Sequence, residues 1–364
     1  MKFRRLCALN PWILLLISTI VGVGILMLYS AADGSMHPWG IRQLGRFGIG
    51  FFVMIIVSVT DIRGWYASAY LLYFIALALL VAVEVLGFVG MGAQRWIDLY
   101  VFNLQPSELM RVCLILALAR YFHDCTLQDV ARVQTLLLPA ALIIVPTLFV
   151  LRQPDLGTAF MLVLSGAALF FVAGVKIWKF IVVGVGGIAA VPILWPFLHT
   201  YQQKRILIFL DPASDPTNTG YHLTQSKIAL GSGGLWGKGF LCGTQSHLNF
   251  LPEKQTDFIF TMFCEEFGMI GAIVLLCLYA TLIVYNFNVA QASRTQFGKL
   301  IAIGLATTFF LYVFINTAMV MGLLPVVGIP LPLISYGGTA MITLLFSQGL
   351  IFSVKLHNDI RVGG

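Results

Sequence analysis

The stretch "GLLPVVGIPLPLISYGG", Gly322 to Gly338, is too broken to be a helix and too apolar to be a surface loop. Its three prolines each lack an N–H donor, and its four glycines weaken any regular turn of helix. The remaining side chains are almost all apolar, so the segment belongs at membrane depth. Irregular backbone survives there only where it is buried in protein or lines a cavity. The stretch therefore predicts a cavity wall near the outer side of a helical membrane bundle. Ser335 and Tyr336 are the polar side chains it offers to that cavity.

The rest of the chain agrees. Of 364 residues, 59% are hydrophobic and only 10% are charged, and the mean hydropathy is +0.92. Soluble domains are about a quarter charged, so composition excludes a soluble domain of ordinary size. The net charge of +7 is dispersed over short loops. It reads as a topology signal and as contacts to anionic lipid, not as a nucleic-acid surface. At the N-terminus Lys2, Arg4 and Arg5 precede an apolar run from Pro11 to Leu28, followed by "SAAD". The run is long for a cleaved signal, so a retained first helix is expected.

A membrane-spanning helix needs about 20 apolar residues. The expected architecture is an all-α polytopic membrane protein with about ten such helices, over 11–30, 44–60, 66–90, 107–122, 134–151, 157–175, 179–198, 262–288, 299–321 and 338–354. Basic residues concentrate in alternate flanks: Arg63, Arg120, Arg132, Lys176, Lys179, Arg294, Lys299, Lys355 and Arg361 join the N-terminal cluster. By the positive-inside rule both termini are cytoplasmic. Arg42, Arg46, Arg95, Arg111 and Arg152 then fall outside. The whole chain, 1–364, reads as one membrane domain containing a long extracytoplasmic loop over 199–256, between the seventh and eighth helices. "DPASDPTNTG" in that loop is turn chemistry, and "YHLTQSKIAL" suits a short amphipathic helix.

Several short motifs carry candidate chemistry. The glycine cluster "GSGGLWGKG" has the wrong spacing for a phosphate loop or a dinucleotide fingerprint. It reads as a flexible outer loop, with Lys238 as a candidate phosphate contact. Zinc-peptidase and serine-hydrolase patterns do not occur. Cys242 and Cys264 are the pair that outer-side placement would bring near each other. In "LQPSELMR", Glu108 and Arg111 share one helical face, either as a dipole-balancing pair or as the lining of a polar cavity. In "LRQPDLGT", Asp155 suits a helix cap, and Arg152 either pairs with it or serves an anionic ligand. Glu84 lies within the third apolar run, close to its outer end or paired with an arginine. In "FLPEKQTDFIF", Glu253, Lys254 and Asp257 crowd the point where the long loop re-enters the membrane. Asp257 is either the cap of the eighth helix, beside Thr256, or a boundary carboxylate whose apolar neighbours raise its pKa and suit it to base catalysis.

Taken together, "QPSE", "RQPDLGT", "FLPEKQTDFIF" and "GLLPVVGIPLPLISYGG" resemble the RodA/FtsW (SEDS) family of bacterial cell-wall proteins, over essentially the whole chain. "GTQSHLNFLPEKQTDFIF" is more similar to the RodA branch, which serves cell elongation. Ala318 stands where a glycine is common in the family, and Arg111 where lysine is usual. The resemblance implies a peptidoglycan glycosyltransferase of the inner membrane, acting on the extracytoplasmic side in cell-shape maintenance. It implies lipid II, a disaccharide-pentapeptide on undecaprenyl pyrophosphate, as substrate. It also implies a class B penicillin-binding protein and other elongation-complex membrane proteins as partners, and it places the family's catalytic acid on Asp257. Arg95, Arg111, Arg152, Lys204, Arg205 and Lys238 are the cations available to a pyrophosphate. A divalent cation, Mg or Mn, held by Asp257 or by the pyrophosphate, is a further expectation; no organic cofactor is called for. A lipid-linked precursor flippase and a non-catalytic scaffold for a transpeptidase are the alternative functions.

Overall fold

The structure, a computed structural model, describes residues 10–90, 93–98, 103–197, 200–211, 215, 219–248, 250–251 and 253–359. Lys2, Arg4, Arg5 and Arg361, and parts of the loop expected over 199–256, lie outside those residues.

Each expected apolar run is a helix. In chain order these are α1 Pro11–Ala31, α2 Trp39–Val59, α3 Ile62–Leu86, α4 Pro106–His123, α5 Leu127–Ala131, α6 Val133–Arg152, α7 Leu156–Val172 and α8 Ile177–Leu194. Three helices follow within the long loop: α9 Thr200–Leu210, α10 Thr219–Ser232 and α11 Thr244–His247. The last three are α12 Ile259–Ala292, α13 Gln296–Val320 and α14 Gly338–Leu356. Among the described residues seven of these (α1, α2, α3, α6, α12, α13 and α14) are long and apolar enough to cross a membrane. Two shorter apolar helices, α7 and α8, accompany them.

The helix α4 falls short of that apolar standard because it carries Glu108, Arg111 and Arg120, yet 14 of its 18 residues are buried. Its charges are spent inside the protein. The Arg120 guanidinium lies over the Tyr66 and Tyr70 rings at 4.9 and 4.5 Å. Such stacking lets a cation sit among packed side chains. The helix packs against α3, α7 and α13, and α13 in turn packs against α7, α12 and α14. These two polar-streaked helices form the axis of the bundle.

A small antiparallel sheet departs from the all-α expectation. Strand β1 Phe88–Gly90 pairs with β2 Ala93–Asp98, which pairs with β3 Asn103–Leu104. The third helix therefore stops at Leu86, short of the expected residue 90, and Glu84 sits exposed on its last turn. The hairpin matters because it carries Arg95 to the α6–α7 corner.

Candidate active site

The segment from Glu253 to Phe258 approaches α12 as a string of turns and not as a helical turn. Glu253 has a left-handed backbone, φ 54°. Turn backbone leaves carbonyls without helical partners, and buried carbonyls demand donors. Three consecutive ones find them on the broken stretch and on α13. Tyr336 N–H donates to the Gln255 carbonyl at 2.8 Å. The Ser335 hydroxyl donates to the Thr256 carbonyl at 2.6 Å. The Asn316 amide donates to the Asp257 carbonyl at 3.0 Å and to the Ile329 carbonyl at 2.7 Å. Ser335 is itself fixed, because its hydroxyl accepts from Leu331 N–H at 2.8 Å and its carbonyl accepts from Gln43 Nε2 at 2.9 Å. The main chain of Asp257 is thus clamped by α2, α13 and the Gly322–Gly338 segment together.

The Asp257 side chain is left unspent. The N-cap of α12 is Phe258, not Asp257, so the capping role expected as one alternative does not hold. Among the described residues the Asp257 carboxylate has no ion pair and no hydrogen bond, whereas every other enclosed acid is engaged. Asp155 caps α7, accepting from Thr158 N–H at 3.1 Å and from the Thr158 hydroxyl at 2.9 Å. Glu108 is paired with Arg111, Glu265 with Lys238, and Glu266 accepts from Ser30. Burial lifts the Asp257 carboxyl from 3.8 to about 6, and the like charge of Glu253 adds to the rise. Arg205 on α9 opposes it, Asp155 reinforces it, and Arg95 opposes it more weakly. Gly328 takes φ +73°, and a Cβ there would stand 3.4 Å from Asp257 Oδ2. That is ordinary contact, so it is the left-handed backbone, which L side chains rarely adopt, that calls for glycine beside the carboxylate.

The charges felt at Asp257 come from four places: its own turn (Glu253), α9 (Arg205), the start of α7 (Asp155) and β2 (Arg95). Arg95 on β2 reaches Asp155 at 3.7 Å. It also donates to the carbonyls of Gln153, at 3.1 Å, and Pro154. Arg95, not Arg152, is the partner of Asp155; Arg152 is exposed at the end of α6. The α6–α7 corner then meets the broken segment, because a Cβ on Gly157 would overlap the Val327 carbonyl. Deeper in the bundle, Glu108 and Arg111 form a buried pair on one face of α4, as their spacing requires. The Tyr312 hydroxyl of α13 donates to Glu108 Oε2 at 2.8 Å, and the Arg111 guanidinium lies 4.4 Å over the Tyr312 ring. With Thr343, Ser347 and Gln348 of α14 they give a polar streak to a small cavity whose other walls are apolar.

Other expected site residues are placed elsewhere. Lys204 is exposed on α9, one position before half-buried Arg205. Lys254 is buried and donates to the Ser246 carbonyl at 2.9 Å. Lys238 donates to Glu265 Oε1 and to the Thr244 hydroxyl, both at 2.7 Å. Its glycine-rich surround is no flexible loop. Helix α12 breaks at Gly268, φ 67°, and the loop backbone repairs the break. Met269 and Ile270 N–H donate to the Gly234 and Leu235 carbonyls at 2.9 and 3.1 Å. Lys238 and Gly239 N–H donate to the Glu265 and Glu266 carbonyls at 2.9 and 3.0 Å. A Cβ on Gly233, Gly237 or Gly268 would overlap opposing backbone, which accounts for the glycines without a phosphate. Cys242 and Cys264 are both free thiols, not a bridge. The helix expected over 221–230 is present as α10, whose Ser226 bonds to Thr261 on α12 at 2.8 Å.

Asn316, Tyr312 and Gln43 matter here but were not singled out by sequence reasoning, and Arg46 was read only as an outer-side charge. The guanidinium of Arg46 lies 4.4 Å from the Tyr336 ring. A usable signal existed for two of them. Tyr312 and Asn316 are four apart in the apolar run "FLYVFINTAMV", so they share a face, and a lone amide at membrane depth is costly without a purpose.

Comparison with known proteins supplies the context. A family model for cell cycle proteins of the FtsW, RodA and SpoVE type matches residues 8–360. The peptidoglycan glycosyltransferase MrdB of Escherichia coli is 43% identical over 356 residues, covering 97% of this chain and 95% of that protein. The stage V sporulation protein E of Bacillus subtilis is 33% identical over 365 residues, covering 96% and 98%. Among solved structures, a chain from a peptidoglycan synthase complex that coordinates polymerization and crosslinking superposes with a TM-score of 0.82 at 32% identity, covering 96% of this chain and 98% of that one. The rod shape determining protein RodA of Thermus thermophilus superposes with a TM-score of 0.73 at 27% identity, covering 97% and 98%.

Proposed function

The chain belongs to the family of cell cycle proteins that comprises FtsW, RodA and SpoVE, and from that premise we propose that it is a peptidoglycan glycosyltransferase of the RodA branch with Asp257 as its catalytic base. Its substrate is lipid II, which it polymerises into glycan strands during cell elongation. The acceptor hydroxyl attacks the anomeric carbon of the donor sugar. The bond from that carbon to the undecaprenyl pyrophosphate breaks, and the hydroxyl proton passes to Asp257. A positioned base of this kind contributes about 10²–10⁴-fold in rate. The observation that carries the assignment is the unspent carboxylate of Asp257, lifted to about 6 and held on a backbone clamped at three carbonyls.

Arg205 and Arg95 supply positive charge around that carboxylate; Arg95 is held by Asp155 and two corner carbonyls, so Arg205 is the cation assigned to the pyrophosphate. Arg111 is committed to Glu108 and Tyr312, so its part is to shape the cavity floor. A divalent cation, Mg or Mn, would take most of its ligands from the pyrophosphate and at most one from Asp257, the usual manner of Mg sites on phosphates. Asp257, whose carboxylate is unengaged among the described residues, would offer such an ion a single oxygen ligand.

In the membrane we read ten crossings: the seven long apolar helices, the enclosed α4, and the shorter α7 and α8. Both termini are then cytoplasmic, and the site opens on the extracytoplasmic side of the inner membrane. The chain works as one membrane domain with a class B penicillin-binding protein, which crosslinks the new strand, and with other elongation-complex proteins. The test is direct. Purified protein supplied with lipid II and its transpeptidase partner should yield glycan that a muramidase digests; transport of lipid II across vesicles without polymer would overturn the assignment.

A further inference from the structure

The loop that repairs the break in α12 leaves its tip uncovered. Trp236 is 80% exposed and Leu235 is 55% exposed, although both belong to a segment whose backbone is fixed on both sides. A single exposed tryptophan needs no explanation, but one joined to a contiguous apolar patch marks a contact surface. Two independent rulers place this turn at the outer edge of the hydrocarbon. The first is α12. From Met269 to Ala292 it is about 36 Å long at about 1.5 Å per residue, and it ends at Arg294 on the inner side. A bilayer core is about 30 Å thick, so the break lies just at the outer boundary. The second is α1. Tyr29 stands near its outer end, about 27 Å along the helix from Pro11. Its ring stacks on Phe240 of the same loop, with centroids 6.3 Å apart and planes 13° apart.

The surface beside the tip is also lipid-facing. Met269, Ile270, Ile273 and Val274 follow the break on α12 and are 52%, 39%, 51% and 55% exposed. Trp236 and Leu235 extend that apolar band by one turn, with no polar side chain between Leu235 and Ile270, whose backbones are bonded at 3.1 Å. Tryptophan is enriched at this level because its ring is apolar and its N–H reaches headgroups or water.

We infer that the Gly234–Gly237 turn is a membrane anchor: Leu235 and Trp236 insert into the outer-leaflet interface and pin the long extracytoplasmic loop to the lipid beside the break in α12. The occupant of this patch is the bilayer, and the loop is held at a fixed height over the site. The inference rests on the outer-side placement proposed above.

Two labelling experiments on the full-length protein separate the anchor from the topology. Trp236→Cys, in a background without other cysteines, is labelled with an environment-sensitive fluorophore and placed in phospholipid nanodiscs. The side chain is largely uncovered by protein, so its replacement removes few packing contacts. Nitroxide lipids spin-labelled near the headgroup should quench most of the emission, and aqueous iodide should quench little. Strong iodide quenching with none from nitroxide lipid would overturn the anchor, including the case in which only an added partner protein shields the dye. Separately, the exposed thiol of Cys242 should react with an impermeant maleimide applied to spheroplasts. Failure there, with lipid quenching intact, would reverse the side of the membrane and leave the lipid contact standing.

Discussion

Lipid II polymerisation should fail on the acid side in a way that an ordinary aspartate could not cause. With the Asp257 carboxyl at about 6, about nine-tenths of it is ionised at pH 7 and about one-tenth at pH 5. Turnover that needs the carboxylate therefore drops about tenfold across those two units. An aspartate at the unperturbed value of 3.8 would lose less than about a tenth over the same range. The same shift has a sign for stability. The folded state holds the proton more tightly than the unfolded chain between pH 3.8 and about 6. Folding stability therefore falls as pH rises through that window, by at most about 3 kcal/mol, since the carboxylate keeps some contact with solvent. Asp257→Asn should then melt higher than wild type at pH 7 and nearly equally at pH 3. Initial rates with fluorescent lipid II, at saturating substrate from pH 5 to 8, give the limb. Glu253→Gln removes a like charge and should move it to lower pH. A rate that is flat from pH 5 to 7, or a limb indifferent to Glu253→Gln, would refute the reasoning.

Asn316→Ala strands the carbonyls of Asp257 and Ile329. At about 1–3 kcal/mol for each buried orphan, it should lower kcat far more than KM and shift the melting temperature down in a thermal scan. Lys238→Met leaves Glu265 buried without its cation and should cost about 3–5 kcal/mol in denaturation experiments. Tyr312→Phe removes one donor from Glu108; a loss of about 1–3 kcal/mol is expected, with lipid II polymerisation reduced but measurable. Removing divalent cations with a chelator should slow polymerisation without moving the melting temperature, because the ion's ligands are mainly those of the substrate.

The helices were legible because apolar length is a one-dimensional property: all ten runs read from composition are helices, with ends displaced by a few residues. The hairpin carrying Arg95 was not, since β1 and β3 span only Phe88–Gly90 and Asn103–Leu104, too short for a pattern, and β2 is tied through Arg95 to a carbonyl some 58 residues further on. The glycine cluster shows the limit most plainly. Its spacing excluded a phosphate loop, but nothing local announced that Gly233 and Gly237 face the backbone of α12, some 30 residues further on. Motif logic singled out Asp257, Glu108 and Arg111 as candidates. It could not find the clamp, because Asn316 and Ser335 meet residues 256 and 257 only through tertiary packing. Arg152 and Lys238 were reasonable candidates by charge and position, and their partners, or lack of them, depended on contacts that no short window contains.

The central claim is that one unspent carboxylate at the loop–membrane junction takes the acceptor's proton. Its most direct measurement is glycan synthesis by Asp257→Asn beside wild type, both in complex with the transpeptidase partner and both shown to be folded by thermal melting. The account predicts a loss of about 10²-fold or more with lipid II still bound. Glycan synthesis at the wild-type rate by a folded Asp257→Asn protein would contradict it.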